Sequence, residues 1–264
     1  MPYLNDLLLG VIEGITEFLP ISSTGHLLLA QHWLGARSEL YNIVIQSGAI
    51  LAVTLIYRQR ILALLAGWRD ADNRDYLIKL LLAFGVTSVL GLVVKKLGFE
   101  LPETIQPVAW ALVIGAFWML AAEALAARLT PSSRITLRVA LAVGIAQVVA
   151  GIFPGTSRSG ATIFVAMLLG TSNRAAATEF AFLVGIPTMF AASGYELAKE
   201  LGSGAAAEDW GALGVAFLAS TVTAFVVVKW LLGYIRSHRF TAFAIYRLVF
   251  GGLLLALSAA GLLT

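Results

Sequence analysis

Residues 10–26 read GVIEGITEFLPISSTGH, and residues 144–162 read GIAQVVAGIFPGTSRSGAT. The two segments align without gaps, so that Pro20 matches Pro154 and Ser23 matches Ser157. In both, proline and small polar residues interrupt an apolar stretch, and each half is too short to cross a bilayer alone. Non-helical backbone survives at membrane depth only where protein or a wet cavity satisfies its polar groups. The pattern therefore predicts two related re-entrant helical hairpins, over about 4–34 and 137–170, whose tips meet near the midplane.

The rest of the chain is unusually apolar. Of 264 residues, 59% are hydrophobic and only 12% charged, against about 25% charged in a soluble domain. Apolar segments long enough to span a membrane occur at about 40–57, 76–97, 105–127, 176–198, 211–233 and 242–262. These features predict one all-α, polytopic membrane domain, residues 1–264, with two repeats at about 1–130 and 131–264. Because each repeat adds three spans, the second must enter from the opposite face, which gives inverted topology.

Charge supports one orientation and argues against some functions. The threading gathers ten arginines on one side, expected to be cytoplasmic by the positive-inside rule: Arg58, Arg60, Arg69, Arg74, Arg128, Arg134, Arg138, Arg174, Arg236 and Arg239. The other side receives Arg37, Lys95, Lys96, Lys199, Glu100, Glu103, Glu208 and Asp209. The basic residues lie in short loops and not in one patch, which argues against nucleic-acid binding. The chain has no cysteine, so disulfides and thiolate metal sites are excluded.

Two acids stand out in the first hairpin. Glu13 and Glu17 are four residues apart and project from one face of a helix. Carboxylates at membrane depth are costly and usually mark a functional site, and this pair is suited to hold a divalent cation through oxygen ligands. The alternative is a structural polar contact between helices.

The first break combines hydroxyls with a histidine. Ser22, Ser23 and Thr24 lie where an N-cap belongs, and His26 follows in the first turn. The start of that helix favours an anion. We expect Ser23 to occupy the cap and attack phosphorus, with His26 or Glu17 accepting its proton; attack by His26 itself is the alternative.

The second break supplies groups for a phosphate. Gly155 allows close backbone approach, Arg158 offers a planar fork of donors, and the surrounding hydroxyls are those of Ser157, Ser159 and Thr162. The alternative for Arg158 is a permanent ion pair with Glu13 or Glu17. The symmetry predicts that the acidic tip and the arginine tip face one cavity.

These motifs resemble a known family, the undecaprenyl-pyrophosphate phosphatases associated with bacitracin resistance. Its acidic motif is matched by residues 13–17, its next segment by residues 18–26, and its Pro-Gly-x-Ser-Arg-Ser-x-x-Thr motif by residues 154–162. The resemblance runs over essentially the whole chain.

The resemblance implies an enzyme of the bacterial plasma membrane that converts the C55 isoprenyl pyrophosphate to the monophosphate for envelope synthesis. It implies dependence on Mg²⁺ or Ca²⁺, with Glu13 and Glu17 as the acids, Ser23 as the nucleophile and His26 as the histidine. It also implies a phosphate-binding set of Ser157, Arg158, Ser159 and Thr162, to which the pattern of the breaks adds Ser22, Thr24 and Gly155. We expect the active site to open toward the periplasm. A homodimer is the oligomeric state to be tested. A transporter or flippase of polyprenyl phosphates is the alternative, because inverted repeats with broken helices are typical of transporters.

Overall fold

The computed structural model describes residues 3–97, 104–203 and 209–263, so the predicted acids Glu100, Glu103 and Glu208 lie outside the described residues. The described part contains ten α-helices and no β-strand. They are α1 Leu4–Thr16, α2 Ser23–Leu34, α3 Glu39–Ala66, α4 Ala71–Lys96, α5 Ile105–Ala126, α6 Leu137–Ile152, α7 Arg158–Leu168, α8 Arg174–Ser203, α9 Trp210–Tyr234 and α10 Thr241–Ala259.

Six helices, α3, α4, α5, α8, α9 and α10, are long and apolar enough to cross a membrane. They coincide with the six predicted spans, and large apolar side chains such as Val89, Phe117 and Val222 are exposed on them. Only a helix satisfies its own backbone in lipid, which explains why these segments are helical throughout. Helix α3 extends beyond the predicted end of its span, about residue 57, to Ala66, and α4 begins at Ala71, so the connection between them is short.

Glycines bring the helices into close contact. A Cβ at Gly10 of α1 would lie 2.2 Å from the carbonyl oxygen of Ala216 in α9, and one at Gly144 of α6 would lie 2.6 Å from that of Ala83 in α4. Small residues at such crossings are the usual means by which helices pack in membranes. As a result, α1 packs on α9 in the same manner as α6 packs on α4.

Polar contacts define the two ends of the bundle. At the first end, Asn5 Nδ2 donates to Leu34 O at 2.9 Å, so the start of α1 and the last turn of α2 lie side by side. At the second end, Asn173 N donates to Ser132 O at 2.9 Å, which brings the connections before α6 and after α7 together. The ten arginines assigned to one side all lie toward the second end: Arg58 and Arg60 lie in the last turns of α3, which finishes there, and the other eight lie at helix termini or connections of that end.

Candidate functional site

The short helices α1 and α2 are joined by a break at residues 17–22, and α6 and α7 by one at residues 153–157. Each break ends in a serine with positive φ, Ser22 at 71° and Ser157 at 69°. Each serine caps the following helix: Gly25 N donates to Ser22 Oγ at 3.5 Å, and Gly160 N donates to Ser157 Oγ at 3.2 Å. The two breaks therefore adopt the same local structure.

This geometry corrects one prediction. Ser22 and not Ser23 is the N-cap of α2, so the gapless alignment of Ser23 with Ser157 is wrong at this point by one residue. The reason is the number of residues between the proline and the capping serine: Ile21 alone separates them in the first break, whereas Gly155, with φ of 93°, and Thr156 separate them in the second. Ser23 instead occupies the first turn of α2, where its side chain turns toward α1.

The hydroxyl of Ser23 contacts Glu17. Ser23 Oγ donates to Glu17 Oε2 at 2.5 Å, and the other oxygen, Oε1, lies 3.4 Å from Arg158 Nη2. Both Ser23 and Glu17 are buried. The structure thus brings the predicted nucleophile, one predicted acid and the predicted phosphate-binding arginine together across the two breaks.

These three side chains lie at a cavity of about 310 Å³. The cavity is also lined by Ser22, Thr24, Gly155 and Ser157 from the predicted phosphate-binding set, and by Glu39, Asn42 and Gln46 of α3. Glu39 lies in the first turn of α3, and its exposed side chain places the mouth of the cavity at the first end. Apart from its position after the N-cap Ser38, no sequence pattern pointed to Glu39.

Ser159 and Thr162 lie beside Arg158 at a separate space of about 20 Å³. Thr162 Oγ1 donates to Arg158 O at 2.8 Å, and Ser159 Oγ donates to Leu19 O at 3.3 Å. Their hydroxyls are therefore engaged with backbone: Thr162 supports the first turn of α7, and Ser159 ties α7 to the first break.

Glu13 is completely buried next to Glu17. Among the described residues, neither of its carboxylate oxygens has a hydrogen-bond partner. Gln147, its counterpart in the second segment, donates to Thr87 Oγ1 at 3.1 Å and borders the small space near Arg158. A buried carboxylate without partners is costly, and of the two acids Glu13 is the one whose oxygens the described residues leave unsatisfied.

Both ring nitrogens of His26 contact groups other than the Ser23 hydroxyl. Its Nδ1 is 2.7 Å from Ser22 O and its Nε2 is 2.6 Å from the Tyr246 hydroxyl, while its ring stacks on Phe250 at 4.2 Å between centroids. A carbonyl oxygen only accepts, so Nδ1 carries a proton. His26 and Tyr246 border an apolar groove of about 550 Å³ between α1 and α10. The structure thus brings Glu17, not His26, to Ser23, and a catalytic role of His26 stays a prediction.

Comparison with known proteins agrees with the motifs. Residues 6–253 match the family model described as "Bacitracin resistance protein BacA". A protein of Rhizobium etli strain CIAT 652 named "Undecaprenyl-diphosphatase" is 68% identical over 264 residues, with all of both chains covered. One of Xanthomonas oryzae pv. oryzae strain PXO99A, with the same name, is 62% identical over 255 residues, with 96% of both chains covered. The family predicted from the motifs is confirmed, and this chain belongs to the BacA family.

Proposed function

We propose that this chain is an undecaprenyl pyrophosphate phosphatase that acts in the bacterial plasma membrane, releasing phosphate and undecaprenyl phosphate. One observation carries the proposal. Ser23 Oγ donates a hydrogen bond of 2.5 Å to Glu17 Oε2, and Arg158 from the other break reaches the same carboxylate. The relatives' printed names and the family match support the substrate.

The chemistry follows from these contacts. Arg158 and the amides at the starts of α2 and α7 hold the terminal phosphate. Ser23 Oγ then bonds to the terminal phosphorus while Glu17 accepts the hydroxyl proton. The bond from that phosphorus to the bridging oxygen breaks, so undecaprenyl phosphate leaves. Undecaprenyl phosphate takes this proton from Glu17 as it leaves. Water then attacks the phosphoserine while Glu17 accepts a proton from the water, the Oγ–P bond breaks to release inorganic phosphate, and Glu17 returns the proton to Ser23 Oγ.

The residues fit a divalent cation. Glu13 offers two carboxylate oxygens that have no partner among the described residues, and Glu17 lies beside it. Magnesium is commonly held by one or two carboxylates together with substrate phosphates. We therefore assign Glu13 and Glu17 as its ligands, and when bound the cation would neutralise charge on the pyrophosphate. The described residues contain no group of three or more such ligands, so the substrate would complete the site.

The finer architecture belongs to the same proposal. We interpret the pairs α1–α2 and α6–α7 as re-entrant hairpins of two inverted repeats, residues 1–130 and 131–264. In support, α9 packs on α1 and α3, while α4 packs on α6 and α8, the corresponding helices of the other half. This mirrored packing also favours the alternative function, a flippase of polyprenyl phosphates. A flippase needs no nucleophile, however, and the Ser23–Glu17 contact is the arrangement of an activated hydroxyl.

Orientation follows from the arginines. Because all ten lie at the second end, we assign that end to the cytoplasm and the mouth of the cavity, near Glu39, to the periplasm. Cysteine at Ala36 should react with an impermeant thiol reagent in cells with a permeabilised outer membrane, whereas cysteine at Ser133 should be protected. The reverse pattern would invert this orientation.

The function is tested with purified protein in detergent and in vesicles. With Mg²⁺ present, the wild type should release phosphate from undecaprenyl pyrophosphate, and Ser23→Ala should not. Movement of polyprenyl phosphate between leaflets without release of phosphate would instead establish the flippase. A dimer, if one forms, is detected by the molecular mass of the same detergent sample.

A further inference from the structure

Arg247 is a buried cation in the middle of α10, with only 1% of its surface exposed. Among the residues that the structure describes, it forms no ion pair with a carboxylate. It does not border the 310 Å³ cavity between the breaks, so it does not touch the reacting phosphate. A guanidinium in this position is costly at membrane depth and calls for a specific reason.

All five N–H donors of Arg247 reach backbone carbonyls. Nη1 donates to Pro20 O at 3.3 Å and to Thr156 O at 3.0 Å, and Nη2 donates to Gly155 O at 3.0 Å. The remaining bonds go to α5, from Nη2 to Ala111 O at 2.9 Å and from Nε to Leu112 O at 3.2 Å. One side chain of α10 therefore connects both breaks to α5.

The carbonyls of Pro20, Gly155 and Thr156 belong to non-helical backbone. Such groups must find donors inside the protein when they lie at membrane depth. Arg247 supplies these donors in one rigid plane, so the positions of the two breaks are fixed relative to each other. Pro20 lies between Glu17 and Ser23, and Thr156 precedes Arg158 by two residues.

We propose that Arg247 is a positioning residue, which holds the two helix breaks at the separation that the phosphatase reaction requires. The inference rests on the proposed function, because it assumes that Ser23 and Glu17 work together with Arg158. Lysine cannot replace it, since an ammonium is a single point with three donors and no planar fork.

Gly115 provides an independent perturbation. A Cβ at Gly115 of α5 would lie 2.1 Å from Arg247 Nη2, so Gly115→Ala must displace the guanidinium while leaving its charge. Gly252, on the same helix as Arg247, has no atom of the described residues within 4 Å of such a Cβ. Gly252→Ala is therefore the matched control.

Two measurements on each variant test the inference. The first is kcat and KM for phosphate release from undecaprenyl pyrophosphate. The second is the distance distribution between spin labels on cysteines at Trp33 in α2 and Leu169 after α7, both exposed, which pulsed dipolar spectroscopy reports. The chain has no native cysteine to interfere.

We expect Arg247→Lys and Gly115→Ala each to lower kcat by about 100-fold, the scale of a 1 Å misplacement, with a smaller change in KM. Both should broaden or shift the distance distribution, and Gly252→Ala should change neither quantity. A loss of kcat with an unchanged distribution, or a changed distribution with normal kcat, overturns the inference. If Arg247→Lys does not fold, Gly115→Ala decides. If the wild type releases no phosphate, the proposed function fails, whereas the distances still show whether Arg247 holds the breaks.

Discussion

Replacing Glu17 by glutamine tests the proposed chemistry most directly. Glutamine preserves the size of the side chain and can still accept a hydrogen bond from Ser23, but it cannot take a proton at neutral pH. The bond that it replaces, 2.5 Å long, has the length expected for a hydroxyl donating to an ionised carboxylate. The variant therefore removes the proton acceptor with little change in packing.

The expected magnitude follows from the burial of the two partners. The Glu17 side chain is 5% exposed, so water cannot readily take its place, whereas the Arg158 side chain is 31% exposed and can be solvated when it loses its partner. Most of the effect should then come from proton transfer, for which a general base contributes about 10²–10⁴-fold. This corresponds to about 3–5 kcal/mol of transition-state stabilisation.

The assay is phosphate release from undecaprenyl pyrophosphate in detergent, with Mg²⁺ at saturation and thermal unfolding recorded on the same sample. Glu179→Gln is the matched control, because Glu179 also pairs with an arginine, Arg60 at 3.0 Å, but lies at the second end. The Glu179→Gln variant should keep kcat within a few-fold of the wild-type value. The double variant Ser23→Ala, Glu17→Gln should be little worse than Ser23→Ala, since the two groups act as a unit. A folded Glu17→Gln enzyme with kcat within tenfold of wild type would refute this assignment.

Three further outcomes are expected. Rapid acid quenching with substrate labelled in the terminal phosphate should trap acid-stable phosphoserine at Ser23. A label that survives only an alkaline quench and maps to His26 would reverse their roles. Glu13→Gln should raise the Mg²⁺ concentration for half-maximal activity at least about 10-fold, the lower range for weakened metal sites, and an unchanged metal titration would remove Glu13 from the ligand set. Gly10→Ala should lower the midpoint of thermal unfolding in detergent, because its Cβ would meet α9 at 2.2 Å. Gly91→Ala, with no atom of the described residues within 4 Å, should not, and equal midpoints would contradict the close packing.

The spans and the main partners of the site were predictable from the sequence. A run of about 20 apolar residues has the length and composition of a spanning helix, so hydropathy predicted the positions of all six spans. Glu17 and Arg158 were recognisable because ionised groups are rare in apolar segments and usually converge on one cavity. Their meeting across two breaks followed from the similarity of residues 10–26 and 144–162.

Details that depend on one residue of backbone or on tertiary contacts were not predictable. Whether Ser22 or Ser23 caps α2 depends on a single residue of chain length in the break. The direction of His26 depends on Tyr246, 220 positions away, and no local pattern encodes that contact. Arg247 had a usable signal, an arginine inside the apolar span at 242–262, and the same rule that selected Arg158 would have selected it.

The mouth of the cavity near Glu39 and the apolar groove beside His26 face different surroundings. Released phosphate would enter water, where it dilutes in three dimensions, whereas a C55 chain in the groove would stay in the bilayer and spread in two. Encounter with the next substrate then depends on how many such lipids occupy each unit of membrane area. A KM for this enzyme has physical meaning as a mole fraction of the lipid phase, and diluting the substrate with other lipid should slow turnover even when its concentration per volume of sample is constant.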